Sequence, residues 1–309
     1  MLIYVAGIKG MVGSAVACEA KSQGFDVAGK ASGELDLTNR ARVFEEIACF
    51  KPDHLIIAAA KVGGIGANSS LPVDFLSINL QIQTNLMDAA HAAGVERVLF
   101  LGSSCLYPKF ARQPINESDL LSGDLEPTNA PYAISKIAGL KLIQAYRKQF
   151  GHTWISAMPT NLYGPNDNFD LESAHVLPAL IHKFHIAKIS NASAATVWGD
   201  GTPMREFLHV KDLARACLPL LKNYDDSMAI NIGSGIERNI ANLANLIADI
   251  VGFHGDILFD IKRPNGTPRK LLNSEKIYSL GWKPEISLVD GIKATYDWFL
   301  QNKVKEHSK

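Results

Sequence analysis

Cysteine, net charge and long hydrophobic runs are scarce in this sequence, and each shortage excludes a class of protein. The cysteines at 18, 49, 105 and 217 are widely scattered without a Cys-x-x-Cys pair, which argues against a disulfide framework and a structural zinc site. Lysine plus arginine and aspartate plus glutamate both total 31, so no overall field attracts nucleic acid or a membrane. An anionic ligand must therefore be bound by bases that cluster locally.

Membrane-spanning and targeting patterns are also missing. No stretch reaches about 18 continuous apolar residues, which is roughly the length that spans a bilayer. The chain opens on an apolar strand with no basic preface and no cleavage-site pattern. With 309 residues, 47% of them apolar, the sequence predicts a cytoplasmic protein without a metal site and with room for two domains.

Short apolar strands alternate with helical patterns through the first half of the chain. This βαβ alternation predicts a Rossmann-type doubly wound parallel sheet with helices on both faces. We predict strands at 2–6, 25–28, 54–59, 97–101, 153–158 and 228–232, and helices at 11–23, 39–50, 71–93, 132–150, 176–187 and 210–221.

The rhythm breaks into loops after Pro159 and then returns, so the chain is expected to cross between two domains more than once. We assign residues 1–160 and 207–235 to the Rossmann domain. Residues 161–206 and 236–309 are assigned to a second, smaller α/β domain.

A glycine-rich turn joins the first strand to the first helix. Gly7 permits a tight turn, Gly10 lets the backbone approach phosphates, and Gly13 allows the helix to pack closely on the strand. The spacing is Gly-x-x-Gly-x-x-Gly, and a plain βα turn is the alternative. In this context it predicts dinucleotide binding by residues Gly7, Ile8, Lys9, Gly10, Met11, Val12 and Gly13.

The end of the second strand lacks the acidic residue that NAD enzymes place about 20 positions after the turn. Lys30, Ser32 and Lys9 offer groups that bind a 2′-phosphate instead, which favours NADP over NAD; the alternative is that both lysines are simply solvated. Ala58 and Ala59, after the third strand, provide a floor of small side chains for the cofactor.

Tyr132 and Lys136 are four positions apart in a predicted helix and therefore share one face. A lysine beside a tyrosine favours the phenolate, so we expect Lys136 to lower the pKa of Tyr132 from about 10 toward neutral pH. Such a phenol can exchange a proton with a substrate oxygen. The alternative is an ordinary amphipathic pair.

Ser103 and Cys105 follow the fourth predicted strand. Residues two apart in an extended strand point the same way, so we expect both side chains to address one pocket at the carboxyl edge of the sheet. The alternative for Cys105 is a small hydrophobic residue of the core.

Together these motifs resemble the extended short-chain dehydrogenase/reductase superfamily, whose catalytic set is Ser, Tyr and Lys. More narrowly, the chain is similar to the GDP-4-keto-6-deoxy-D-mannose 3,5-epimerase-4-reductases. The resemblance covers nearly the whole chain and rests on segments 58–65, 101–108, 126–129, 158–169, 198–210 and 266–271.

The resemblance implies a reductase centre that uses NADP(H). In it, Tyr132 gives a proton to the C4 ketone, Lys136 binds the nicotinamide ribose and Ser103 hydrogen-bonds the ketone oxygen. Further implied cofactor contacts are Leu35, Asp36, Pro159, Asn161, Leu162 and His175.

The resemblance also implies epimerisation at C3 and C5, the carbons that flank the C4 ketone. It assigns the base and acid to Cys105 and His175, whose ordinary pKa values of about 8.5 and 6.5 bracket neutral pH. Which of them acts as the base at each carbon stays open. From its position alone, His175 is equally a helix-start residue.

The implied contacts to a GDP-sugar are Asn161, Lys183, Trp198, Arg205, Asn265 and Lys270. The family more often has Arg where Lys183 stands and Asp where Asn265 stands. Lysine lacks the bidentate fork of arginine, and Asn265 lacks a charge for the guanine N–H donors.

The function that the resemblance implies is NADPH-dependent conversion of GDP-4-keto-6-deoxy-D-mannose to GDP-L-fucose. An epimerase-reductase or simple 4-reductase acting on a related GDP-4-keto sugar, a dideoxyhexose or a heptose, is the alternative. A non-catalytic NADP sensor is disfavoured because Tyr132 and Lys136 are intact. We expect a homodimer through the helices at 71–93 and 131–150, with no nucleic-acid or membrane partner.

Overall fold

The computed structural model describes residues 1–304 and contains the predicted α/β architecture. The strands are β1 Leu2–Ala6, β2 Asp26–Ala28, β3 His54–Ile57, β4 Arg97–Leu101, β5 Ile155–Pro159, β6 Asn161–Tyr163, β7 Ala194–Trp198, β8 Met204–His209, β9 Ile230–Ile232, β10 Glu237–Asn239, β11 Asp256–Asp260 and β12 Arg269–Lys270.

Helices connect these strands. They are α1 Met11–Ser22, α2 Arg40–Phe50, α3 Ile65–Ser70, α4 Pro72–Ala92, α5 Ala130–Phe150, α6 Val176–Ile189, α7 Val210–Asn223, α8 Ile240–Val251, α9 Glu275–Ser279 and α10 Leu288–Phe299. Single turns of 3-10 helix cover Ser104–Leu106, Glu117–Asp119 and Pro127–Asn129, and a π-helical turn covers Leu300–Val304.

The main sheet has six parallel strands in the order β2-β1-β3-β4-β5-β9. The order reverses at β1, because β2 lies on one side of it and β3 on the other. In open α/β sheets, ligands bind outside the carboxyl ends of the strands at such a switch point. The topology therefore predicts that ligands bind at the turns after β1, β3 and β4.

Both faces of the main sheet are buried, which explains why its strands read as continuous apolar runs. Tyr4 and Leu55 lie in a core with α4 and α5 residues, whereas Ile3, Val5 and Ile56 lie in a core with α1 and α7 residues. Neighbouring residues of a strand thus face opposite helical layers, as the two-residue period requires.

A second sheet contains β10, β8 and β12, with β6 paired to β8, and β7 pairs with β11. A third apolar core lies beside these strands and contains residues of α6, α8 and α10. The division into domains 1–160 with 207–235 and 161–206 with 236–309 stays a prediction, and its boundary at 206/207 falls inside β8.

Glu206 connects the places where the chain passes between the two sheets. Its side chain is fully buried, with 0% exposure, and its carboxyl oxygens accept hydrogen bonds from the backbone N–H of Gly235 (2.7 Å) and of Leu272 (3.1 Å). Its backbone carbonyl accepts from the side chains of Asn161 (2.7 Å) and Thr160 (3.3 Å). One residue therefore joins four segments that are distant in sequence.

No helix within residues 1–304 combines the length and the apolar character needed to cross a membrane.

We expect Glu206→Ala to lower the free energy of unfolding by about 3 kcal/mol, because two interior N–H donors lose their acceptor. Urea denaturation measures the change. The matched control is Glu45→Ala on the exposed face of α2, which is expected to change stability by less than about 0.5 kcal/mol. Equal stability of the two variants would contradict the role of Glu206.

Candidate active site

The turn after β1 has the geometry that binds a pyrophosphate. Gly7 adopts a left-handed φ of 85°, and its carbonyl accepts a hydrogen bond from Gly10 N at 2.9 Å. A Cβ on Gly13 would lie 2.0 Å from Gly7 O, so any other residue there would push α1 off the strand. Gly10 begins α1 without a side-chain cap and no acidic residue is in the first turn, so the helix N–H groups face an anion without competition.

The remaining residues of this turn divide into packed and exposed groups. Ile8 and Val12 pack against the core between the sheet and α1, and Met11 is partly buried at the start of α1. Lys9 is exposed. The apolar residues thus hold the turn in place, and the lysine remains available to a ligand.

The segment after β2 lies in sequence where the 2′ end of a cofactor is expected. Lys30 is partly buried, Ser32 is exposed and Leu35 is buried. Asp36 accepts hydrogen bonds from the Thr38 hydroxyl (2.7 Å) and backbone N–H (2.9 Å), which lower the pKa of Asp36.

The floor of small side chains after β3 contacts the glycine turn. Ala58 N donates to Ala6 O at 3.1 Å, and a Cβ on Gly7 would lie 2.9 Å from Ala59 Cα. Any side chain at Gly7 would therefore collide with this floor. The two alanines leave open space where larger side chains would fill it.

Three predicted cofactor contacts come from β5 and β6. Pro159 is the last residue of β5, and Leu162 of β6 packs against the apolar core of the main sheet. The Asn161 amide donates to Glu206 O, so this side chain already has a structural partner.

Ser103 and Cys105 do not lie in one extended strand, so the prediction that strand alternation brings their side chains together is wrong. β4 ends at Leu101, and the chain then turns into the 3-10 helix at Ser104–Leu106, which Ser103 caps. The Ser103 hydroxyl accepts a hydrogen bond from Cys105 N at 3.2 Å. A capped turn, rather than strand alternation, therefore holds the two residues together.

Lys136 is buried within the main sheet domain, with 3% exposure. Its ammonium donates to Leu101 O at 2.9 Å and lies 4.8 Å from the ring centroid of Phe100. Burial lowers the pKa of Lys136 to about 7, because the charged form loses hydration that one carbonyl replaces only in part.

The expectation that Lys136 lowers the pKa of Tyr132 is wrong for the protein chain by itself. Burial raises the pKa of the Tyr132 phenol, the charge of Cys105 raises it further, and a hydrogen bond to Ser103 opposes the rise. Desolvation outweighs any field from Lys136, whose ammonium bonds to Leu101 O instead. Tyr132 is therefore a neutral phenol at neutral pH, the form that donates a proton.

Cys105 lies beside two cations from the second sheet. The Lys270 ammonium donates to Cys105 Sγ at 3.2 Å. Burial alone would raise the pKa of the thiol, but the charges of Lys270 and Arg205, together with hydrogen bonds to Ser103 and Lys270, outweigh burial and lower it. The structure thus favours the thiolate more than an ordinary cysteine would.

His175 is the N-cap residue of α6, as its helix-start position suggested, and it keeps substantial contact with solvent. The protein atoms around the ring, and then the charge of Lys270, lower the pKa of His175 below its ordinary value of 6.5. The imidazole is mostly neutral at pH 7, and its protonated form is a stronger acid than usual.

The predicted nucleotide contacts lie around β7 and β8. The Lys183 ammonium donates to Thr196 O at 2.5 Å, and burial lowers the pKa of Lys183, with the charge of Arg263 as the next cause. Trp198 ends β7, and the Arg263 guanidinium lies 4.5 Å from its ring centroid. This geometry combines a flat aromatic face with two cations.

Arg205 and Asn265 are adjacent. Arg205 donates to Met204 O (2.8 Å) and to Asn265 O (3.3 Å), and burial lowers its pKa. Asn265 Oδ1 accepts from Asp200 N at 3.1 Å, so the amide oxygen has a backbone partner.

Comparison with known proteins agrees with this geometry. The model of the NAD dependent epimerase/dehydratase family matches residues 3–233. GDP-L-fucose synthase 1 from Arabidopsis thaliana is 56% identical over 97% of this chain and 93% of its own length. The chain belongs to the GDP-L-fucose synthase group of this family.

Solved structures of similar proteins match almost the whole chain. A GDP-6-OMe-4-keto-L-xylo-heptose reductase from C. jejuni has a TM-score of 0.93 at 33% identity and covers 98% of both chains. A GDP-L-fucose synthetase from Naegleria fowleri bound to NADP has a TM-score of 0.89 at 29% identity, covering 97% of this chain and 94% of that one.

Two contacts in this protein were not predicted from the sequence. Lys270 was assigned to the nucleotide, but its ammonium lies on Cys105 Sγ. Arg263 had not been singled out, although it covers Trp198. Neither contact has a sequence signal, because each joins residues far apart in the chain.

Proposed function

We propose that this protein catalyses the NADPH-dependent 3,5-epimerisation and 4-keto reduction of GDP-4-keto-6-deoxy-D-mannose to GDP-L-fucose. The observation that carries the proposal is the proximity of two sets of groups. Ser103 and Tyr132 suit proton donation to a carbonyl oxygen, and Cys105, with a favoured thiolate, interacts with both. Reduction and epimerisation need these two sets within reach of one sugar ring.

The residues at the carboxyl edge of the main sheet fit NADP. The Gly7 to Gly13 turn leaves helix N–H groups for the pyrophosphate, and Lys9 and Lys30 are available to a 2′-phosphate. The Naegleria fowleri structure contains NADP, which supports the choice. When bound, the reduced cofactor supplies a hydride to C4 of the sugar.

In the reduction, Tyr132 donates its phenolic proton to the C4 oxygen, since burial keeps the phenol neutral. Ser103 hydrogen-bonds the same oxygen. Lys136 holds the nicotinamide ribose, and its pKa of about 7 lets it return a proton toward Tyr132 near neutral pH.

In the epimerisation, the C4 ketone acidifies the protons at C3 and C5. Cys105 and His175 act as the base and acid on opposite faces of the ring, and Tyr132 and Ser103 stabilise the enolate oxygen by hydrogen bonding. The same phenol therefore serves both half-reactions.

The nucleotide binds on the second sheet. Trp198 provides an apolar face, and Lys183 and Arg205 provide positive charge near the diphosphate, with Asn161 and Asn265 as polar contacts. The alternative is a related GDP-4-keto sugar, which the likeness to the C. jejuni heptose reductase favours. A cytoplasmic location stays a prediction.

Incubation with NADPH and GDP-4-keto-6-deoxy-D-mannose is expected to yield GDP-L-fucose, because both sets of groups are present. The stereochemistry of the product is read by NMR. GDP-D-rhamnose would show reduction without epimerisation and would favour the alternative. Absence of turnover would contradict the proposal.

We expect Cys105→Ser to slow proton exchange at C3 and C5 by roughly 100-fold or more, because a hydroxyl is a much weaker base than a thiolate. Solvent deuterium incorporation measures exchange, and cofactor fluorescence should show unchanged NADPH binding. Cys49→Ser, on the exposed part of α2, is the control. Exchange at the wild-type rate in Cys105→Ser would exclude the role.

We also propose a homodimer in which α4 and α5 form the interface, as expected for helices 71–93 and 131–150. The two helices pack side by side, and the rings of Phe75 and Tyr132 lie 6.4 Å apart. Their outer surfaces expose Val73 (73%), Ile134 (49%) and Phe150 (50%), large apolar side chains that a second copy would cover.

A dimer is expected by light scattering at micromolar concentration, and Ile134→Glu should shift it toward monomer by placing a charge in the interface. Leu280→Glu is the control, because Leu280 has similar exposure (55%) and follows α9 as its C-cap residue, away from α4 and α5. A monomeric wild-type protein would rule out the interface.

A further inference from the structure

Lys270 and Arg205 lie on adjacent strands, β12 and β8. Lys270 of β12 is in register with Arg205 of β8 in a parallel pair, so the two side chains leave the sheet on the same face. Within residues 1–304, no carboxylate lies within ion-pair distance of either cation. A nearby anion would stabilise these two neighbouring cations, of which Lys270 is buried and Arg205 half-buried.

The nearest group able to become that anion is Cys105. The Lys270 ammonium lies 3.2 Å from Cys105 Sγ, and the exposure of Lys270 is only 7%. By contrast, its neighbour Arg269 points away and forms a double hydrogen bond with Glu237, which anchors β12. The strand is therefore held with Lys270 directed at the sulfur.

Uncharged and charged groups of other segments also surround Cys105 and Lys270. Ser103 and Tyr132 are uncharged at neutral pH, and Arg205 adds a second positive charge at the thiol. His175 interacts with Lys270 and is mostly neutral. Glu126, which interacts with Arg205, is the acidic residue in this environment, and it does not act on the thiol directly.

A role in diphosphate binding accounts less well for this position of Lys270. Its ammonium already bonds to the sulfur, whereas Lys183 and Arg205 bond only to neutral carbonyl oxygens and can turn to phosphate. An ammonium that donates a hydrogen bond to Cys105 Sγ stabilises a negative charge on the sulfur.

We propose that Lys270 is the positioning residue of the epimerisation: its ammonium keeps the Cys105 sulfur ionised and directed at the substrate, so that Cys105 is the base. This inference rests on the proposed function.

The Cys105 thiolate takes the proton from C3 or C5 and becomes a thiol, and the C–H electron pair forms a carbon–carbon double bond with C4. The C4 oxygen becomes the enolate oxygen, which hydrogen-bonds to Tyr132. His175 takes a proton from solvent, with which it is in contact, and delivers it as an imidazolium to the opposite face of the carbon, where the double-bond electron pair forms the new C–H bond and the C4 ketone re-forms. The Cys105 thiol then releases its proton to solvent, which restores the thiolate.

The test measures the ionisation of Cys105 without any substrate. The rate of alkylation by iodoacetamide is recorded against pH in a Cys18→Ser/Cys49→Ser background, because those two cysteines are exposed and Cys217 is buried. We expect Lys270→Met to raise the pKa of the thiol by about one unit or more, and so to slow alkylation at pH 7 by about tenfold.

Two variants separate this role from general damage. Lys270→Arg keeps the positive charge and is expected to retain most of the low thiol pKa. Lys183→Met removes the other lysine predicted for the nucleotide, and it should leave the alkylation profile unchanged. A circular dichroism melt identifies any variant that does not fold.

Turnover provides the second measurement. With GDP-4-keto-6-deoxy-D-mannose, Lys270→Met should lose deuterium exchange at C3 and C5 at pH 7 and recover part of it at higher pH, as the thiol ionises. A rise in KM with an unchanged pH profile would instead identify a diphosphate contact and overturn the inference.

The two proposals can fail separately. An unchanged alkylation profile in Lys270→Met overturns the role of Lys270, whatever the substrate proves to be. A shifted profile in an enzyme that does not turn over this sugar leaves the ion pair standing and overturns the proposed function.

Discussion

The buried carboxyl group of Glu206 is the constraint on which the site depends. The carboxyl oxygens accept hydrogen bonds from the backbone N–H groups of Gly235 and Leu272. The backbone carbonyl of Glu206 accepts hydrogen bonds from the side chains of Thr160 and Asn161. These bonds fix β8 and the segment after β12 relative to the end of the main sheet. This junction brings the cations of the second sheet to the catalytic turn, and the carboxyl group stabilises it by giving its interior N–H groups an acceptor.

Burial then acts differently on each ionisable group of the site. It raises the pKa of Tyr132 and lowers that of Lys136, because each loses hydration of its charged form. Cys105 is the exception, since the nearby cations outweigh the cost of burial. A neutral phenol beside a favoured thiolate is the combination that a ketone undergoing both epimerisation and reduction requires.

Much of the fold could be predicted because its signals are local. Strands β1, β3 and β4 and helices α1, α4 and α5 lie within a few residues of their predicted bounds. Apolar runs covered on both faces are a property of parallel sheets, and Gly7 and Gly13 of the first turn meet steric limits that other residues do not satisfy. The division into domains was harder, because it depends on which strands pair across long loops.

The sequence by itself determined the parallel sheet, the glycine turn and the identity of the reactive side chains, since periodicity and residue chemistry are written locally. Only the tertiary structure decided how those side chains behave. It replaced an extended strand by a capped turn at Ser103 and Cys105, and it set the pKa of Tyr132 by burial rather than by Lys136. It also joined Lys270 to Cys105 across 165 positions, because strand register and desolvation arise only when distant segments pack together.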